Sequence, residues 1–322
     1  MLLDHVAYSR VPSYNGLFSK LDVQLKTTTN RNSFQSYLSQ ELFKSRVETR
    51  TLEAEFATFA EYAGASLGLV HSLWNEINSL GIETFLPKMK NAEFEIALRN
   101  LLVARRYDEQ YVVAALELAK KFRTYFSERV RQIFPNGANA SELRLGGLGE
   151  LLAYLIATDL EQHDCIYHKL TPDTPNAARH GVDLLTIRFG PSSDNDEVHW
   201  WEAKGTKVSF SSQRDSIVYW FNEQMNSRLS TTVEAAKKEW VQKYDRPKWE
   251  RAAKALNMYL LKVCRYKYVG TIAFDSSIIP SGGAIEGFSR VNGPPESKQL
   301  VLFPLANIEK LAEEVYTGAW SI

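Results

Sequence analysis

"HGVDLLTIRFGPSSDNDEVHWWEAKGTK", residues 180–207, sets two strand-like runs around a polar turn. In the first run Asp183 interrupts the apolar residues Val182, Leu184 and Leu185. Aspartate is disfavoured in strands and a buried carboxylate without a partner is costly, so Asp183 needs a cation or hydrogen-bond donors close by. In the second run side chains alternate, so Glu202 and Lys204 point one way while Trp201 and Ala203 point the other. If the runs pair as a hairpin through "GPSSDNDE", Asp183 and Glu202 come side by side on one face. Two adjacent carboxylates repel each other, and a divalent metal removes the repulsion. Lys204 then stands one side-chain step away, within reach of a phosphate oxygen or an attacking water.

The flanking sequence fits an α/β arrangement. "LGELLAYLIATDLEQ" (148–162) reads as a helix ahead of the hairpin, and the glycines of "GGLG" let its start approach the strands. That brings Glu150 to the same edge as a third acid. "CIYHKL", "GVDLLTIRF" and "EVHWWEAKG" read as sequential strands. Helical patterns over 211–229 and 233–262 follow, then strands in "YVGTIAFDSS" and "KQLVLFPL", and a closing helix in "NIEKLAEEVYTG" that stops at Gly318. The expected fold is a mixed sheet flanked by helices. Ahead of it, residues 34–81, 93–106 and 108–134 carry apolar residues at three- and four-residue steps, and the first forty residues read as strands or loops. The turn-rich "PNGANASELRLGG" suggests a boundary, giving a mostly helical N-terminal region over 1–140, suited to holding a partner, and a catalytic domain over 141–322.

An acid on a helix, an Asp on the next strands and Glu-x-Lys on a further one resemble the PD-(D/E)XK nucleases, at Glu150, Asp183 and Glu202-Ala203-Lys204. More narrowly, "LGGLGELLAYL", "HGVDLL" and "WWEAKGT" are similar to the nuclease subunit of the Hachiman anti-phage system, the HamA family, and to the related AbpA proteins. The likeness in motifs spans residues 143–207; no proline precedes Asp183. It implies a restriction-endonuclease-like core and DNA cleavage dependent on magnesium, with manganese able to substitute. Asp183, Glu202 and Glu150 would be metal ligands, with Lys204 beside them. It also implies a superfamily 2-type helicase that restrains and delivers the nuclease. Other readings of the same residues are a repair or junction-resolving nuclease, or a catalytically silent adaptor that binds DNA or a helicase.

Bulk composition narrows the classes. The chain has 322 residues, 44% hydrophobic and 24% charged, ordinary for a globular protein with a real core. Its 38 basic and 38 acidic residues cancel, unlike a dedicated nucleic-acid coat protein. No apolar run of membrane-spanning length is present. Cys165 and Cys264 lack CxxC spacing, so neither a disulfide framework nor a zinc site of cysteines is expected, and a cytoplasmic location is. Charge is unevenly placed: residues 233–268 hold ten Lys/Arg against four acids, and residues 150–232 hold twelve acids against seven bases. An acidic metal centre beside a phosphate-holding surface has this pattern, as do two differently solvated faces. On the first reading Lys237, Lys238, Lys248 and Arg251 contact the DNA backbone. Trp200 and Trp201 could stack on bases, but packing between sheet and helix explains Trp201 better. His180 could approach a phosphate and Gln213 could assist the site; both residue types more often serve local structure at such places. No P-loop or nucleophile elbow occurs, so any ATP-driven step belongs to a partner.

Overall fold

The computed structural model describes residues 6–10, 21–47, 49–82, 90–136, 138–169, 182–243, 245–260 and 264–320, with the side chains of 6–10, 49–51 and 238–243 left aside. A seven-stranded sheet runs through it in the order β1-β2-β7-β6-β5-β4-β3. The strands are β1 (Val6–Arg10), β2 (Asp22–Thr28), β3 (Asp164–His168), β4 (Leu184–Arg188), β5 (Glu197–Thr206), β6 (Arg265–Asp275) and β7 (Lys298–Leu305). β2, β7, β6 and β5 are parallel to one another, while β1–β2, β4–β5 and β3–β4 are antiparallel pairs. Parallel pairs need crossover connections, and helices supply most of them, so both faces of the sheet are covered.

One face carries α1 (Arg31–Arg46), α2 (Thr49–Tyr62), α3 (Leu67–Ser79), α4 (Asn91–Ala104), α5 (Glu109–Ile133), α6 (Ala140–Leu155) and α11 (Ile308–Trp320). The other carries α7 (Phe210–Tyr219), α8 (Met225–Lys243), α9 (Arg246–Leu260) and the short α10 (Gly282–Glu286). Alternation sorts the strand residues between two cores. Leu184, Trp201, Ala203, Val269 and Val301 enter the first; Leu185, Trp200, Ile272, Leu300 and Leu302 enter the second. Both tryptophans are fully buried, so neither offers a face for a base.

The expected α/β class, a mixed sheet flanked by helices with a helical N-terminal region, is the observed one. Particular elements differ. The sheet draws on both sides of residue 140, because β2 pairs in parallel with β7. The helix that carries Glu150 starts at Ala140, ahead of "GGLG", and runs on through a π-helical turn at Ile156–Leu160. α7 and α8 are joined by a second π-helical turn, Trp220–Gln224, so one helical run extends from Phe210 to Lys243; ahead of α9, Asp245 Oδ1 accepts from the Lys248 backbone N at 3.1 Å. Pro247 lies in the first turn of α9, where its missing N–H costs nothing. The last helix does not stop at Gly318. A Cβ there would lie 2.6 Å from Ser39 Oγ, so this glycine serves the close packing of α11 on α1. No helix among the described residues is long and apolar enough to cross a membrane.

The β4–β5 turn is tied to α9 by one residue. Arg251 donates from Nε to Asp196 Oδ2 at 2.8 Å and from Nη2 to Oδ1 at 2.5 Å, and Nη2 also reaches Gly190 O at 2.5 Å. Asp196 is 2% exposed. Loss of the guanidinium would leave a buried carboxylate short of a partner. We expect Arg251→Ala to destabilise the fold by about 2 kcal/mol, since the arginine itself is partly solvated and the loss falls below that of a fully buried pair. Thermal or urea unfolding measures it, and unchanged stability would remove the arginine from this structural role.

Candidate active site

The hairpin register determines which residues meet. β4 and β5 pair Leu184 with Trp201 and Leu185 with Trp200, so Asp183, one residue before the strand, lies opposite Glu202. On the other side, β3 pairs His168 with Leu184, and the backbone N of Lys169 donates to Asp183 O at 3.0 Å. Lys169, Asp183 and Glu202 therefore form a row across three neighbouring strands. The row continues into β6 at Gly270, which pairs with Glu202.

The side chains along this row are held tightly. Asp183 Oδ1 accepts from Lys169 Nζ at 2.7 Å, and Oδ2 accepts from the Ala203 backbone N at 2.7 Å. Glu202 Oε1 accepts from Lys204 Nζ at 2.6 Å. Glu202 Oε2 is buried and has no hydrogen-bond partner among the described residues. Asp183 and Glu202 are 4% and 2% exposed.

Glu150 comes to this group because α6 lies on β5 at backbone distance. A Cβ on Gly205 would stand 2.3 Å from Leu145 O, and one on Gly149 would stand 3.0 Å from the Lys204 carbonyl carbon. Of the glycines expected to permit a close approach, Gly149 does so, from inside the helix; a Cβ on Gly147 would meet Tyr316, and one on Gly146 would meet nothing within 4 Å.

Three carboxylates thus share the site with two ammonium groups. Burial first, and then the charge of Asp183, push Glu202 up to about 8 and Glu150 up to about 7, against the pull of Lys204 and Lys169. Burial opposes the charged form of both lysines, but Glu202 and Asp183 hold the Lys204 proton well above the usual lysine range, and Asp183 and Glu202 do the same for Lys169. The excess of negative charge rests on the two glutamates, and a cation would relieve it.

Of the residues expected at the site, the structure brings together Asp183, Glu202, Lys204 and Glu150. The basic residues are engaged elsewhere. Lys237 Nζ bonds Glu234 at 3.0 Å, Lys248 Nζ bonds Asp164 at 2.6 Å, and Arg251 grips Asp196. The Lys238 side chain and His180 lie outside the described residues. Gln213 occupies the first turn of α7, half-buried. Two further cations belong to the neighbourhood. Nothing local in "CIYHKL" marks Lys169; the β3–β4 register is its signal. Arg46, from α1, raises the positive potential at Glu150 and donates to Tyr316 Oη at 3.1 Å. An N-terminal helix thereby contributes to the electrostatics of the site.

The fold and the site define a mixed α/β protein with buried acids and lysines lined up across one sheet. The HamA family model matches residues 71–319, and the chain belongs to that family, which places it in Hachiman anti-phage defence. No curated protein matches the chain.

The contact between α6 and β5 gives a sharp test. We expect Gly205→Ala to cost about 1–3 kcal/mol by overpacking against the Leu145 carbonyl, and Gly205→Val to cost more. Denaturant titration reads the loss. Wild-type stability in Gly205→Val would show that the helix can move off the strand freely.

Proposed function

We propose that this chain is a divalent-metal-dependent DNA phosphodiesterase of low sequence specificity, with a restriction-endonuclease-like core of the PD-(D/E)XK type, held in check by a superfamily 2-type helicase partner and active in the cytoplasm. The observation that carries it is the row of Lys169, Asp183 and Glu202, with Glu150 and Lys204 beside it and one buried glutamate oxygen unpartnered among the described residues.

The donor set fits magnesium or manganese. It is made of hard carboxylate oxygens, it carries excess negative charge, and Glu202 Oε2 needs a cation or donor that no described side chain supplies. Asp183, Glu202 and Glu150 would hold the ion. When bound, it supplies Lewis acidity at the phosphate and lowers the pKa of water. The protein's own groups do the rest. Lys169 and the Ala203 N–H fix the orientation of the Asp183 carboxylate from both sides. Lys204, 27% exposed along its side chain, extends from the buried Glu202 toward solvent and can meet a phosphate oxygen or orient the attacking water. Its proton is held firmly by Glu202 and Asp183, so it acts as a fixed positive charge.

Nothing in this constellation reads base identity, so restraint must come from outside the site. Family membership supports the helicase as that restraint, since Hachiman defence implies one. DNA-backbone contact by Lys237, Lys238 and Lys248 is the electrostatic part of the reading. Charge reversal at these three should reduce the salt slope of DNA binding by roughly one unit for each phosphate that is no longer neutralised.

We expect Asp183→Asn, Glu202→Gln and Lys204→Ala to abolish magnesium-dependent cleavage of DNA while leaving a folded protein, and Glu150→Gln to weaken it. Linear, circular and single-stranded DNA should be incubated with the purified chain, with and without its helicase. Cutting retained by Glu202→Gln would sink the proposal. Lys169→Gln should lower the rate at saturating magnesium by about ten- to a hundredfold, the range seen when a residue that orients a metal ligand is lost. A rate equal to wild type would show that Asp183 is positioned without it.

A further inference from the structure

A second group of ligand-type side chains lies toward the start of β5. His199 precedes Glu202 by three residues and so faces the opposite core, beside Trp201. Glu161 and His163 follow the π-helical turn that ends α6. One ligand atom from each of Glu161, His163 and His199 lies within 4.8 Å of the other two. His163 Nε2 stands 3.6 Å from Glu161 Oε2, and the two imidazole rings meet edge to face with centroids 4.3 Å apart.

The hydrogen bonding around these rings is incomplete. His163 Nδ1 lies 3.3 Å from Thr186 Oγ1, which also accepts from Trp201 Nε1 at 3.0 Å. This leaves His163 Nε2 directed at Glu161. His199 is 1% exposed, yet neither of its ring nitrogens has a hydrogen-bond partner among the described residues. Glu197 Oε2 is 3.0 Å from His199 Nε2 and is also paired with Arg188 at 2.8 Å. A buried imidazole whose Nδ1 has no partner, and whose Nε2 meets only a carboxylate already shared with an arginine, is rare in a folded protein unless something else occupies it. Burial pushes His163 down to about 3 and His199 below its ordinary value.

We propose that Glu161, His163 and His199 form a second metal centre, separate from the carboxylate row, that takes a transition metal of the zinc class with Glu197 as a further donor. Two imidazoles and carboxylate oxygen suit zinc in a tetrahedral site, and a hard ion such as magnesium would prefer the all-oxygen row. The surroundings point the same way. Arg188, 2.8 Å from Glu197 Oε2, faces this group together with Lys267, and Lys26 flanks Glu161. Three cations against two carboxylates leave no excess of negative charge, so an ion is held there by coordination to nitrogen. Thr186 orients His163, and Gln299 Nε2 approaches Glu161 Oε1 at 3.4 Å, in the manner of outer partners that fix metal ligands. An ion at this place would join the end of α6 to the start of β5, the two elements that carry Glu150 and Glu202.

The test uses the full chain, stripped with chelator and titrated with cobalt(II), whose visible absorption reports tetrahedral nitrogen and oxygen ligands. We expect uptake of about one cobalt per chain with that spectrum, displaced by zinc. His163→Ala and His199→Ala should weaken uptake by at least about a hundredfold and Thr186→Val by about tenfold, while the double variant Asp183→Asn/Glu202→Gln keeps it. If His199→Ala fails to fold, Glu161→Gln, which preserves volume, makes the comparison. The proposal is overturned if wild-type protein takes up no cobalt at this stoichiometry. It is equally overturned if uptake survives in the histidine variants and vanishes in the double variant. Neither result bears on DNA cleavage, which is read separately at Glu202.

Discussion

Helix α6 rests on strand β5 at backbone distance, and the placement of the carboxylates depends on that contact. Side chains normally hold packed layers apart, as in stacked sheets about 10 Å from one another. Here Gly149 and Gly205 remove the two that would intervene, so Glu150 is delivered beside Lys204 and not a layer above it. The energy of the arrangement comes from elsewhere. Trp201 and Ala203 on β5 and Leu148, Leu151 and Leu152 on α6 bury their apolar surfaces in one core, and that burial is what presses the two backbones together.

A site assembled this way must accommodate charge inside a protein. Burial alone would protonate the glutamates, and Lys169 and Lys204 offset part of that tendency. The balance is left incomplete, with three acids facing two bases. The same imbalance that makes the metal-free cluster uncomfortable makes it receptive to a cation. A site optimised for stability would have paired every carboxylate, and would hold an ion poorly.

Alternation along β5 puts Glu202 and Lys204 on one face from sequence, because a period of two is a local property, and a hairpin between adjacent strands brings Asp183 opposite Glu202. Glu150 follows from glycine spacing, again local. Lys169 and Arg46 are illegible for the opposite reason. Lys169 reaches Asp183 through a strand pairing whose register a sequence does not display, and Arg46 arrives from a helix far upstream of Glu150. The partners of the basic stretch are illegible in a related way: Lys248 and Arg251 meet Asp164 and Asp196, acids that lie much earlier in the chain. The boundary near residue 140 marks a change in local pattern, and local pattern says nothing of β2, which crosses it to pair with β7.

That pairing has a consequence for how the molecule comes into being. The parallel stack of β2, β7, β6 and β5 joins a strand that begins at Asp22 to one ending at Leu305, so the whole stretch between them must be made before the sheet can close. Until then β2 can hold only to the short β1, and β5 lacks its parallel neighbours. Contacts so distant along the chain make folding slow. Synthesis thereby imposes an order of events: the residues of the carboxylate row exist early, but the sheet that holds them in line, and α11 that packs behind α6, arrive last. A truncated or stalled chain carries the chemistry's ingredients without the frame that aligns them.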